Sequence, residues 1–332
     1  MSKLRDIFRL YDAFDLRMDQ EVLPQDELGS HELIGQTLKS AISPGTELAA
    51  YTGMEPLRPT TTLYPRLMGY CNVARVIDCG RAVERVVPGD IILTHQPHCS
   101  AFRITEGDIL CLLKADDDLN EMSTTYLFHL GYSAALKGKI TAGHKVAVVG
   151  LGTLGLTASA VAHLCGADEV VGFTNHAPSE QSMSDFHLTK ALPKDNDECD
   201  SSFDVVVVTS SRWEDWKLSL RLARQEAVIV LIGFPGRGAG LPDFNPLASE
   251  YVYDKQLTMV ACGKTPGGSA FQGAARFDLK QNCEFLSNAI RSGRLPGQSL
   301  IHSVIEPGDL KEGYEHLLRK RADAKTLVLD WE

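Results

Sequence analysis

The sequence lacks any run of eighteen uninterrupted apolar residues, and with it the simplest form of a membrane-spanning helix. It also lacks a basic surplus. Its 33 Lys and Arg face 43 Asp and Glu, a formal net charge of −10. That balance argues against nucleic acid or an anionic membrane as a main partner, because both call for a basic face. No C-x-x-C pair occurs among the eight cysteines, which stand apart at 71, 79, 99, 111, 165, 199, 262 and 283. Scattered thiols suit a reduced, cytoplasmic protein better than a disulfide frame or a structural zinc lobe. Met1 to Gln20 interleave Lys3, Arg5, Asp6, Arg9 and Asp12 with apolar positions, so they do not read as a signal peptide. What is present is a chain of 332 residues, 44% hydrophobic and 23% charged, a globular composition with room for two domains.

The strongest pattern runs from His144 to Thr174, HKVAVVGLGTLGLTASAVAHLCGADEVVGFT. Val146, Val148 and Val149 make a β-branched run that stops at Gly150. Gly150, Gly152 and Gly155 then spell G-x-G-x-x-G, and Leu154 to Leu164 read as an alanine-rich helix closed by Gly166. Glu169 to Phe173 supply the next strand. A strand, glycine turn, helix and second strand in about thirty residues is the dinucleotide-binding unit. Its glycines permit a tight turn and close approach to a pyrophosphate. The helix start, with Thr153, Leu154 and Gly155, offers N–H donors to that anion.

On the N-terminal side the chain reads as short strands and turns. Glu32 to Ala41 is a strand candidate that Ser43-Pro44-Gly45-Thr46 breaks, and a turn-rich stretch with Pro56, Pro59 and Pro65 follows. Val73 to Ile77 and Asp90 to Leu93 are further strands around the turn Val87-Pro88-Gly89-Asp90. Such spacing suggests a small β-barrel-like domain. Helical spacing begins at Glu121 and runs to Lys137. Beyond the glycine unit, the polar stretch from Asn175 to Ser202 predicts a reduced helix and strand with a solvated loop. Phe203 to Thr209 and Ala227 to Phe234 are nearly continuous apolar runs, as buried parallel strands require, with a helix from Trp213 to Ala223 between them. Gln256 to Cys262 predicts an edge strand and Phe277 to Arg291 a long helix. Ile301 to Ile305, Asp309 to Arg319 and Thr326 to Leu329 predict strand, helix and strand.

In order, Ser43-Pro44-Gly45-Thr46-Glu47, Gly69-Tyr70-Cys71, Pro88-Gly89-Asp90, the glycine fingerprint and the tail Leu300-Ile301-His302-Ser303-Val304 cover nearly the whole chain. On these motifs the sequence resembles the medium-chain dehydrogenase/reductase family, in particular its bacteriochlorophyllide dehydrogenase-like branch. The resemblance implies an α/β protein in which a Rossmann doubly wound parallel sheet, residues 129–270, is inserted into a GroES-like β-barrel domain made of residues 1–128 and 271–332. It also implies a small-molecule substrate and a homodimer. Relatives with catalytic zinc carry Cys-Gly-Ser/Thr-Asp where this chain has Pro44-Gly45-Thr46-Glu47, and Gly-His-Glu where it has Gly69-Tyr70-Cys71. The third ligand position reads as Leu127. Zinc needs three protein ligands of the Cys, His, Asp or Glu type, so the expectation is no metal. Cys71, Glu47, His95, His98 and Cys99 remain a second, less favoured donor set.

Without zinc, orientation, water exclusion and a proton donor fall to side chains. Thr46 stands where relatives relay a proton through a hydroxyl, although it equally suits a turn cap. Tyr70 stands at the lost imidazole and is either a donor to a carbonyl oxygen or enolate, or filler of an empty metal position. His98 is preferred over His95 as a titrating imidazole. For the cofactor, the second strand of the fingerprint ends in Thr174, Asn175 and His176, with no carboxylate to repel a 2′-phosphate and no Arg or Lys to bind it. That favours NADP(H) over NAD(H). Thr209, Ser210, Gly233 and Phe234, at the ends of later strands, should face the ribose and nicotinamide. Tyr51, Met54, Tyr64 and Phe271 are either pocket lining or core. The sequence reading is a zinc-independent NAD(P)(H) oxidoreductase that reduces a carbonyl or a conjugated C=C, or oxidises the alcohol. The alternatives are a degenerate nucleotide-binding or sensing protein and an epimerase that uses its cofactor transiently.

Overall fold

The computed structural model describes residues 4–24, 27–55, 63–263, 278–319 and 325–332. The N-terminal part runs β1 (Leu4–Leu10), β2 (Leu16–Val22), β3 (Glu32–Ala41), α1 (Pro44–Tyr51), β4 (Arg66–Leu67), β5 (Cys71–Cys79), β6 (Ile91–Thr94), β7 (Ala101–Thr105) and β8 (Ile109–Leu113). Helices α2 (Leu119–Ser123) and α3 (Thr125–Gly138) lead into the second sheet. That sheet is built from β9 (Lys145–Val149), α4 (Thr153–Leu164), β10 (Glu169–Phe173), α5 (Glu180–Asp185), β11 (Lys190–Leu192), β12 (Phe203–Val208), α6 (Trp213–Leu222), β13 (Ala223–Leu231), α7 (Ser249–Val252) and β14 (Thr258–Ala261). The chain closes with α8 (Leu279–Arg291), β15 (Ile301–Ile305), α9 (Leu310–Arg319) and β16 (Thr326–Asp330).

The second sheet is wholly parallel in the order β11-β10-β9-β12-β13-β14. The chain moves outward from β9 in one direction and then, from β12, in the other. The crevice between β9 and β12 is therefore a topological switch point, where such sheets bind dinucleotides. Both faces are covered, and the period of two sorts the side chains. Val146 and Val148 turn to a core shared with α3 and α4, while Ala147 and Val149 turn to one shared with Trp216, Leu220 and Leu222 of α6.

A first sheet runs β15-β16-β3-β5-β6-β8, with β7 paired to the first half of β3. Its strands come from both ends of the chain, so the last segment completes the domain that the first begins. Strand β3 carries this load because it is long enough to pair with β5, β7 and β16 at once. The turn read at Val87 to Asp90 lies between β5 and β6, where the Asp90 carboxylate accepts the Val87 N–H at 2.8 Å. A small sheet, β2-β1-β4, packs beside it.

One local expectation is corrected. Ser43 to Thr46 end β3, but they do not form a simple turn; they start α1, with Ser43 as N-cap and Pro44 in the first turn. Proline's fixed φ and missing N–H suit that position, which the turn reading overlooked. The predicted start of the long helix at Phe277, the residue Phe271, the turn residues Pro56 and Pro59, and the domain boundary at 270/271 lie outside the described residues.

Helices α3 and α4 cross so closely that a Cβ on Gly131 would stand 2.8 Å from the backbone N of Ala158 and the carbonyl carbon of Thr157. Those neighbours are backbone and cannot rotate away. Gly131→Ala is expected to cost about 1–3 kcal/mol by overpacking. Urea unfolding checks this, and an unchanged midpoint and slope would contradict the packing described.

Candidate functional site

The site is assembled around the N-terminus of α1. Glu47 is buried, and its carboxylate accepts the backbone N–H of Ser43 at 2.6 Å, the His98 Nε2 proton at 2.9 Å and the Tyr314 hydroxyl at 2.5 Å. On its other side His98 Nδ1 lies 2.9 Å from Ser40 Oγ, which itself accepts the Trp331 indole N–H at 2.9 Å. An indole can only donate, so the serine hydrogen is left for Nδ1 and the Nε2 proton for Glu47. A buried carboxylate with three donors is satisfied, and it ties α1 to the loop before β7 and to α9. Burial, and then the Glu47 charge, hold the Tyr314 phenol well above its ordinary range.

With α1 fixed in this way, the Ser43 side chain is not used as a cap and faces Tyr70 instead. The Tyr70 hydroxyl makes a short hydrogen bond to Ser43 Oγ and lies 3.3 Å from Thr46 Oγ1. Burial of that hydroxyl, then the neighbouring Cys71, pushes its pKa well up, so it stays protonated through the neutral range. Tyr70 and Thr46, chosen separately from the sequence, are thus brought together. His98 is not: its ring is fully buried with both nitrogens engaged, and Gly69 at φ 87° leaves room for it where a Cβ would come within 2.6 Å of the ring. The His98 ring, expected to assist a proton step, is instead held between Ser40 and Glu47 under α1 and is not brought to the Tyr70 hydroxyl.

The imidazole beside Tyr70 is His95, half-buried, with Nδ1 3.1 Å from the Tyr70 carbonyl oxygen. Tyr126 lies edge-on to both, with ring centroids 5.6 Å from Tyr70 and 4.2 Å from His95, and stacks on His129 at 5.3 Å. Leu127, read as the third metal position, is buried in the main core, and its neighbour Tyr126 is the α3 residue that reaches the site. Tyr126 and His129 were missed, although an i, i+3 pair of a phenol and an imidazole on a largely buried helix was a visible signal. Cys71 is in the core as well. Among the described residues no group of three or more His, Cys, Asp or Glu is placed to hold a metal. Of the other suggested lining residues, Tyr51 is core, packed against Phe14 and Tyr314, while Tyr64 donates to the Ala50 carbonyl and Met54 is exposed.

Helix α1 packs against α4, the helix that follows the glycine turn. Gly150 has φ 96°, a left-handed backbone that favours glycine, and a Cβ on Gly155 would lie 2.0 Å from the Gly150 carbonyl oxygen. A Cβ on Gly152 would meet nothing within 4 Å, so open space lies in front of the N-terminus of α4, where Thr153 and Leu154 begin the helix. A pyrophosphate fits that cradle. Thr209 braces it, its hydroxyl donating to the Gly150 carbonyl at 2.7 Å. The Thr174 hydroxyl is used within its own loop, donating to the His176 carbonyl at 3.0 Å and accepting the His176 N–H at 3.2 Å, while Asn175 and His176 are exposed. Ser210 and Gly233 touch, since a Cβ on Gly233 would lie 2.1 Å from the Ser210 carbonyl oxygen, and Phe234 is exposed beyond them.

Burial, and then His95, lower the His129 imidazole from its ordinary 6.5 to about 4. The unfolded chain takes up this proton near 6.5 but the folded protein only near 4. The stabilisation is therefore complete above pH 6.5 and is lost as pH falls toward 4. Between pH 7 and pH 5 wild type should lose about 2 kcal/mol from this group alone. Urea unfolding of wild type and His129→Asn at both pH values measures it. A variant with the full wild-type pH slope would contradict the assignment.

Comparison of the sequence with protein-family models and with curated proteins gives no match. Solved structures do match over the full length. They include 2R,3R-butanediol dehydrogenase from Bacillus subtilis, at TM-score 0.77 and 14% identity, covering 98% of this chain and 99% of that one. L-idonate 5-dehydrogenase from Escherichia coli matches at TM-score 0.79 and 14% identity, covering 99% of each chain. A putative zinc-binding dehydrogenase from Sinorhizobium meliloti, bound to NADP, matches at TM-score 0.76 and 18% identity, again over 99% of each. The chain has the fold of these dehydrogenases, a Rossmann sheet set within a GroES-like domain that both ends of the chain complete.

Proposed function

We propose that the protein is an NADP(H)-preferring oxidoreductase that reduces a carbonyl or conjugated C=C of a small organic molecule without a catalytic metal. The observation that carries this is the Tyr70 hydroxyl, held by Ser43 and Thr46 beside the nucleotide helix at the position where zinc-containing members of the resembled family place an imidazole. Pro44 has no ligand atom and Cys71 is in the core, and the groups on the Tyr70 hydroxyl itself are the hydroxyls of Ser43 and Thr46. A bound nicotinamide would supply hydride. Gly150, Gly152, Thr153, Leu154 and Gly155 would hold its pyrophosphate, with Thr209 bracing the turn.

Tyr70 then serves as the acid. Burial keeps its phenol protonated through the neutral range, so it offers a hydrogen bond to a developing oxyanion and does not act as a base toward an alcohol. Ser43 and Thr46 orient the phenol and refill its proton, and His95 borders the same space. The preference for NADP(H) rests on the absence of a carboxylate from Thr174 to His176, with Asn175 and His176 exposed there to donate to a 2′-phosphate. The Sinorhizobium structure, bound to NADP, is consistent with this.

Tyr70→Phe should lower kcat by about 10²–10³-fold while leaving the NADPH dissociation constant within a few-fold. Dialysis against a zinc chelator should leave wild-type turnover intact. Transfer of deuterium from labelled NADPH to a carbinol carbon would identify ketone reduction, and transfer to the β-carbon of an enone would identify alkene reduction. Tight cofactor binding with no turnover across carbonyl and enone panels would instead favour a nucleotide-sensing protein. Loss of activity on chelation would overturn the metal-free chemistry.

A further inference from the structure

Arg237 follows β13 in the loop Gly233-Phe234-Pro235-Gly236-Arg237. It is buried, at 9% exposure, and its Nε is enclosed without a hydrogen-bond partner. Among the described residues no carboxylate pairs with it. The charged group lies over the Phe234 ring, 4.1 Å from the centroid. A ring face offsets only part of the cost of taking a guanidinium out of water, and a buried cation ordinarily finds an anion. Burial also lowers its pKa.

The loop is pinned on both sides. The Gly236 N–H donates to the Ser211 carbonyl at 2.8 Å, beyond the end of β12, and the Gly238 N–H to the Glu55 carbonyl at 2.7 Å, beyond the end of α1. Gly236 and Gly238 have φ of 81° and 68°, and a Cβ on either would strike Trp213 or Met54. Arg237 therefore stands at the seam between the nucleotide sheet and the domain that carries Tyr70. Strand β13 is three positions from β10 in the sheet, about 14 Å at ordinary strand spacing, which sets Arg237 away from the Thr174 to His176 loop and from a 2′-phosphate.

We propose that Arg237 binds the carboxylate or phosphate of an anionic substrate, making charged carbonyl or enone compounds the substrate class of the site. The inference rests on the oxidoreductase reading for the reaction, but not for the binding. It is tested on the full chain saturated with NADPH, as wild type, Arg237→Met and Arg237→Lys. The probes are levulinate against its methyl ester and dihydroxyacetone phosphate against dihydroxyacetone. Calorimetry and thermal shift read binding, and NADPH oxidation reads turnover.

Wild type should bind the charged member of at least one pair at least about tenfold more tightly than its uncharged partner. Arg237→Met should lose on the order of 100-fold for that charged probe and little for the neutral one, with Arg237→Lys between them. Without ligand, the Met variant should melt at or above the wild-type temperature, because it removes an unpaired buried cation. No charge preference in wild type would overturn the proposal, as would equal losses for both members of a pair or a lowered melting temperature of the unliganded Met variant. Weakening of NADPH and NADH binding by tenfold or more in the Met variant would assign Arg237 to the cofactor instead. Binding of a charged probe, with no NADPH oxidation by that probe or across the carbonyl and enone panels, would sink the oxidoreductase reading and leave this one standing.

Discussion

Glu47 accepts hydrogen bonds from the Ser43 backbone, the His98 ring and the Tyr314 phenol, and these donors belong to three separate stretches of the chain. This buried carboxylate fixes the first turn of α1, while Leu48, Ala50 and Tyr51 pack the rest of the helix into the core. Removing any donor would leave a buried polar group short of a partner, which costs more than the hydrogen bond itself contributes. The network therefore enforces a geometry: it sets where the first turn of α1 lies, and so where Ser43 and Thr46 meet Tyr70.

The same helix joins the two halves of the molecule. It packs against α9, from the far end of the chain, and against α4, the helix that follows the glycine turn. The hydroxyl cluster and the glycine cradle thereby sit on helices that pack together. The cradle is spatially exacting, because Gly155 lets the helix start touch the Gly150 carbonyl while Gly152 keeps the approach open. The hydroxyl cluster is exacting in another way, since its phenol is kept protonated by the burial that holds it in place.

The parallel sheet was the most legible part of the fold. Its strands, such as Glu169 to Phe173 and Phe203 to Val208, are covered on both faces and read as nearly continuous apolar runs. The reduced helix and strand between Asn175 and Ser202, and the edge position of β14, were also legible. Helix α1 was not, because eight residues beginning Pro-Gly carry turn signals, and a proline at a helix start differs from one in a turn only in whether the residues after it can go on as a helix. In the site, Tyr70 and Thr46 could be named from a resemblance in motif. His98 could not be told from His95, because the two stand three residues apart and the sequence does not show that Gly69 leaves room for the His98 ring. Arg237 was invisible for a related reason: an arginine in a glycine-rich loop reads as solvated until burial is known.

The central claim is that a tyrosine hydroxyl stands in for a metal beside the nicotinamide. A crystal structure of the NADPH complex, with anomalous diffraction recorded at the zinc edge, tests it most directly. The account predicts the nicotinamide ring against the Tyr70 hydroxyl and no anomalous peak near it. A zinc peak among Tyr70, Cys71 and His95, or a nicotinamide bound away from Tyr70, would contradict it.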